Sequence, residues 1–85
     1  MVTVTAFKIP GLKIWFYSND HEPPPFHVKR RGEWEVKVHF LHAPEEMIET
    51  VFGKPSSSLV KQITRLTEEH RLELLEEWHG IHKVE

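Results

Sequence analysis

The chain has 85 residues, no cysteine, nine aromatic residues (three Trp, five Phe, one Tyr), and 11 basic against 13 acidic side chains for a net charge of −2. One domain spanning residues 1–85 is expected, with a small core to which each aromatic side chain adds on the order of 150 to 250 Å² of buried surface. The absence of cysteine excludes a disulfide framework and a thiolate metal site, and the charge balance gives no general attraction to nucleic acid or anionic membrane. Neither a signal peptide nor a run of about 20 apolar residues is read, so a cytoplasmic protein without a membrane association is expected.

Val2 to Ile9 is rich in β-branched and aromatic residues and is punctuated by Pro10-Gly11, which predicts a first strand ending in a turn. Lys13 to Tyr17 predicts a second strand. Its residues are apolar on both parities (Ile14 and Phe16, Trp15 and Tyr17), the pattern of a central strand covered on both faces. Ser18-Asn19-Asp20 is turn chemistry and leads into Pro23-Pro24-Pro25, whose fixed φ angles predict a stiff, extended spacer.

Phe26 to Arg30 and Trp34 to Phe40 predict a hairpin. A three-residue loop of Arg30, Arg31 and Gly32 sets Lys29 opposite Glu33, Val28 opposite Trp34 and Phe26 opposite Val36. That register gives a core face of Phe26, Val28, Trp34, Val36, Val38 and Phe40, with His27, Lys29, Glu35, Lys37 and His39 on the other face. Met47, Ile48, Val51 and Phe52 suit a short helix entered after Pro44. A long helix from about Ser58 to Trp78 follows, with the Ser56-Ser57-Ser58 hydroxyls as caps and an apolar stripe of Leu59, Ile63, Leu66, His70, Leu74 and Trp78. Gly80 is read as its stop, with a frayed tail from about residue 80. The expected fold class is α+β: a small, mostly antiparallel sheet of three or four strands packed against the long C-terminal helix.

Four sites can be read from these residues. Asp20, His21 and His27 offer a carboxylate and two imidazoles to zinc, iron or manganese, with His70 or His39 as a further ligand. His21, His27 and His70 could instead act as acid and base on a phosphodiester, with Lys29 or Arg30 stabilising developing charge. Lys29, Arg30 and Arg31 with Trp34 could grip nucleic acid, although three charges at a hairpin tip are more often simply solvated. His70, on the apolar stripe of the helix, alone fits a core histidine donating to a backbone carbonyl or carboxylate. No cofactor is required by the sequence, and a divalent metal is the one that the residues could hold.

The stretch Asp20-His21-Glu22-Pro23-Pro24-Pro25-Phe26-His27-Val28 resembles the signature of domain-of-unknown-function family 4160 (DUF4160), small bacterial and archaeal proteins. That family reads Asp-His-Asn-Pro-Pro-His-Phe-His-Val there, so Glu22 and Pro25 stand where it usually has asparagine and histidine. Ala6-Phe7 through Tyr17 is similar to its opening strands, and Glu69-His70 through Leu75 and Trp78 to its terminal helix. The resemblance implies a small α+β domain, often encoded beside another small protein in a pair like a toxin and its antitoxin. The expectation is therefore a non-enzymatic binding module with a small protein partner encoded nearby and binding residues among Asp20, His21, His27, Lys29, Arg30 and Arg31. The alternative is a small histidine-dependent nuclease or metal hydrolase.

Overall fold

The computed structural model describes residues 2–17 and 25–81. Five strands, β1 (Val2–Thr3), β2 (Lys13–Phe16), β3 (Phe26–Arg30), β4 (Trp34–Val38) and β5 (Ile48–Gly53), form one antiparallel sheet in the order β1-β2-β3-β4-β5. Helices α1 (Ser57–Glu69) and α2 (Arg71–Ile81) follow. The α+β class is as expected. The fifth strand comes from the segment read as a helix, of which only Pro44–Glu46 forms a single 3₁₀ turn. Pairing against β4 overrides the helical spacing, since Ile48, Thr50 and Val51 are β-branched and suit a strand.

The first strand is shorter than predicted. The Val4 N–H still donates to the Ile14 carbonyl at 3.0 Å, after which the chain leaves the sheet edge, although Val4, Phe7 and Ile9 all bury their side chains in the core. A turn at Pro10-Gly11, in which the Leu12 N–H donates to the Ile9 carbonyl at 3.1 Å, returns it to β2.

In the β3–β4 hairpin the loop again has three residues, but they are Arg31, Gly32 and Glu33. Arg30 faces Trp34, Lys29 faces Glu35, Val28 faces Val36 and Phe26 faces Val38, a shift of two residues from the predicted register. The Glu33 N–H donates to the Arg30 carbonyl at 2.9 Å. Gly32, with φ +79°, takes the third turn position, where a left-handed residue is needed. A two-residue shift preserves facing, so the predicted core face survives: Phe26, Val28, Trp34, Val36, Val38 and Phe40 are all buried.

Ile14 and Phe16 from β2, Met47 before β5, and Ile63, Leu74 and Trp78 from the helices complete this core. Both helices thus lie on the same side of the sheet. The Ser56 hydroxyl caps α1 by accepting from the Leu59 N–H at 3.2 Å. The predicted single helix is two: His70, at φ −111° and ψ 20°, interrupts the helical geometry. The ladder still passes through it, since the His70 N–H donates to Leu66 and the Leu74 N–H donates to the His70 carbonyl. Gly80 does not stop α2, which continues to Ile81, a residue packed against the core. On α2, Arg71 holds the chain after β4 by donating from Nε to the Phe40 carbonyl at 2.8 Å, and the Glu77 carboxylate accepts from the Thr5 N–H at 2.8 Å.

Candidate functional site

Alternation along the strands sends Lys13, Trp15, His27, Lys29, Glu35 and Lys37 to the sheet face opposite the helices. The β2–β3 register sets Trp15 against His27 and Lys13 against Lys29. Trp15 is only 2% exposed although it turns away from the core. Its indole is stacked on the His27 imidazole at 5.2 Å and 20°, and the Tyr17 ring meets it edge-on at 5.9 Å. The Lys13 and Lys29 ammonium groups lie 5.7 and 5.5 Å from its ring centre, where the negative face of the indole attracts cations.

His27 is 5% exposed, held between Trp15 and the edge-on Tyr17 ring at 4.6 Å. Its Nδ1 is 3.9 Å from the Glu35 carboxylate, an electrostatic approach longer than a hydrogen bond. His27 is therefore packed as a supporting ring, with Tyr17, 39% exposed, at the surface beside it.

The far edge of this face is altered by a bulge. Glu35 pairs with Phe52 and the next residue, Val36, with Thr50, leaving Val51 as the extra residue of β5. Phe52 consequently shares the helix-free face with Glu35, whereas Ile48 and Thr50 turn towards the helices. Phe52 is 48% exposed there. Gly53, opposite Trp34, allows the close approach that ends the strand: a Cβ there would collide with the Glu33 carbonyl oxygen, and its φ of +67° is left-handed. Next to Phe52 along β5, His39 Nε2 and the Glu49 carboxylate are hydrogen-bonded at 2.8 Å, and the His39 ring stacks on His42 at 5.0 Å. The bond with His39, and secondly the charge of Lys37, hold the Glu49 carboxyl below its ordinary range.

His70 lies on the opposite side of the sheet. Its ring packs 5.7 Å from Phe7, itself against Phe26 in the core, and its Nδ1 is 2.6 Å from the Glu73 carboxylate. The expected carboxylate partner is present, but His70 is half-buried at the junction of the two helices rather than a core residue. The sheet separates His70 from His27, so the centre that would have used both in catalysis is not formed. Asp20 and His21, with the spacer of Pro23 and Pro24, lie outside the described residues, whereas Pro25 is half-buried at the entry to β3. Among the described residues no group of three or more histidine, aspartate or glutamate side chains is placed to hold a metal ion. Nor is any helix among them long and apolar enough to cross a membrane.

Two corrections concern the basic hairpin. Trp34, which the nucleic-acid reading would stack on a base, lies in the core as the predicted facing of the hairpin requires, and Arg30, its cross-strand partner, is half-buried rather than exposed in a loop. Arg31 alone of the three cations is fully at the turn. Lys13, which sequence reasoning passed over, joins Lys29 instead. Parity within β2 and β3 carries a signal for this pairing, but the register across their connection is not set by either strand alone.

A family model described as "Domain of unknown function (DUF4160)" matches residues 11–79, from the turn before β2 to near the end of α2. No curated protein and no solved structure matches the chain.

Proposed function

The chain belongs to the DUF4160 family, and we propose that it is a non-enzymatic binding module, one half of a toxin–antitoxin-like pair, that meets a small protein encoded beside it in the bacterial cytoplasm. The observation that carries this reading is Phe52, which the β5 bulge turns onto the helix-free face and leaves 48% exposed. Tyr17 adds a second exposed ring on the same face, and Lys37 and Glu49 supply charges of both signs between them. An apolar surface with a mixed polar rim suits a protein partner. The stacked Trp15 and His27 rings give that surface a rigid floor. Asp20, His21, His27, Lys29, Arg30 and Arg31 are the residues that the sequence offers to the same partner.

The catalytic alternative built on His21, His27 and His70 draws no support from the geometry, because His27 and His70 are on opposite sides of the sheet. Co-expression with the adjacent gene product tests the binding reading. A single complex on size exclusion is expected, and Phe52→Ser should dissociate it while leaving the thermal melt of the isolated chain unchanged. Two independently migrating proteins would count against it.

A further inference from the structure

Two turns stand side by side at one end of the sheet: Ile9 to Leu12 before β2, and Arg30 to Glu33 between β3 and β4. Between them opens a concavity of about 490 Å³ lined by Gly11, Leu12, Lys13, Lys29 and Arg31. Three of these side chains are cations, and among the described residues no carboxylate lines the space. Its charge is the opposite of the chain's overall balance of −2.

The cations are held together at a cost. Lys13 and Lys29 are direct partners across the β2–β3 ladder, where like charges repel. Both ammonium groups gather over the same indole, which attracts them but does not neutralise them. Glu35 faces Lys29 across the β3–β4 ladder, but among the described residues its carboxylate approaches His27 at 3.9 Å, and no carboxylate lies within ion-pair distance of Lys13, Lys29 or Arg31. A bound anion would relieve the repulsion and match all three charges.

We propose that this concavity binds consecutive phosphates of a phosphate-bearing anion. Arg31 presents a planar fork that can grip two phosphate oxygens, and the paired lysines act as point charges on a neighbouring phosphate. The volume falls in the range of ligand sites and exceeds the needs of one phosphate group. Two sources share this chemistry: a free polyphosphate such as the tail of a nucleotide, and the backbone of a single-stranded nucleic acid. The site shares Lys29 and Arg31 with the residues offered to the protein partner, but Phe52 lies outside it, so loss of the complex in Phe52→Ser and loss of anion binding in Arg31→Gln are separate outcomes.

Calorimetry with inorganic tripolyphosphate and fluorescence anisotropy with a labelled twelve-nucleotide RNA test the proposal, on the wild-type chain and on Lys13→Gln and Arg31→Gln. Each substitution is expected to weaken binding roughly tenfold. For RNA, each should also lower the slope of log affinity against log salt by about 0.7. Binding of tripolyphosphate assigns the site to a free polyphosphate, and binding of RNA alone assigns it to a backbone. Arg31 is exposed in its turn, so Arg31→Gln keeps the test decisive if Lys13→Gln, whose stem lies by Trp15, disturbs the sheet. Failure of the wild-type chain to bind either probe, or unchanged affinity and salt slope in folded Arg31→Gln, overturns the proposal.

Discussion

The two faces of the sheet are both rich in aromatic rings, yet they use them differently. On the helix-covered face Phe7, Phe16, Phe26 and Phe40 meet one another at ring separations of 5.9 to 6.2 Å, sealed by Ile63, Leu74 and Trp78. On the other face Trp15 is buried by His27, Tyr17 and two lysine side chains, and Phe52 is left partly open. The first arrangement removes apolar surface from water and gains stability. The second sets its rings beside charged side chains and leaves one of them open to solvent, and the proposed partner surface rests on it. Substitutions should therefore separate the faces by what they damage.

The largest effect is expected from Trp78→Ala, which opens the helix-covered core. A loss of about 3 to 5 kcal/mol in urea unfolding is predicted, enough to unfold much of a chain this small. A loss below about 1 kcal/mol would place Trp78 outside the cooperative core. Glycine comes next. Gly53→Ala should cost about 2 to 4 kcal/mol, because its left-handed φ is compounded by contact with Glu33 and Trp34 backbone atoms. Gly32→Ala, with a similar φ and open space around it, should cost only about 1 kcal/mol. Equal losses at the two glycines would show that the β4–β5 approach relaxes freely.

Phe52→Ser, on the helix-free face, should shift stability by less than about 0.5 kcal/mol in the same urea assay. A core-like loss would mean that this ring belongs to the fold and not to a partner surface. The smallest effect belongs to Glu49. Its folded carboxyl titrates below the ordinary value of 4.5, so its stabilising contribution is complete above that pH and is lost as pH falls through the lower folded value. Thermal melts between pH 6 and about 2 should decline slightly more for the wild type than for Glu49→Gln. Identical pH profiles would remove the His39–Glu49 bond from the account.

The features legible from local pattern were those that one segment encodes by itself. Phe26 to Arg30 alternates and forms β3, and the serines before α1 supply its cap through Ser56. The apolar stripe through Ile63, Leu74 and Trp78 did identify the covering helices. Local pattern misleads where two segments compete. Ile48 to Phe52 has spacing that suits a helix, but β4 offers it a ladder, and the ladder prevails. His70 fits the stripe by position, yet its side chain turns to Glu73 at the junction of α1 and α2. The motif around Asp20 and His21 is the most conspicuous chemistry in the chain, and of its aspartate and two histidines the described structure places only His27, as a packed ring.

The sequence by itself determined the α+β class, which residues of the β3–β4 hairpin face the core, and where the helical part begins, because periodicity and capping act over a few neighbouring residues. Only the tertiary structure decided the two-residue hairpin register, the fifth strand and the Val51 bulge that exposes Phe52. It also decided that Lys13 stands beside Lys29 and that His27 and His70 are parted by the sheet. Register and facing between distant segments depend on side chains that meet only once the chain has closed on itself, so no single stretch carries them.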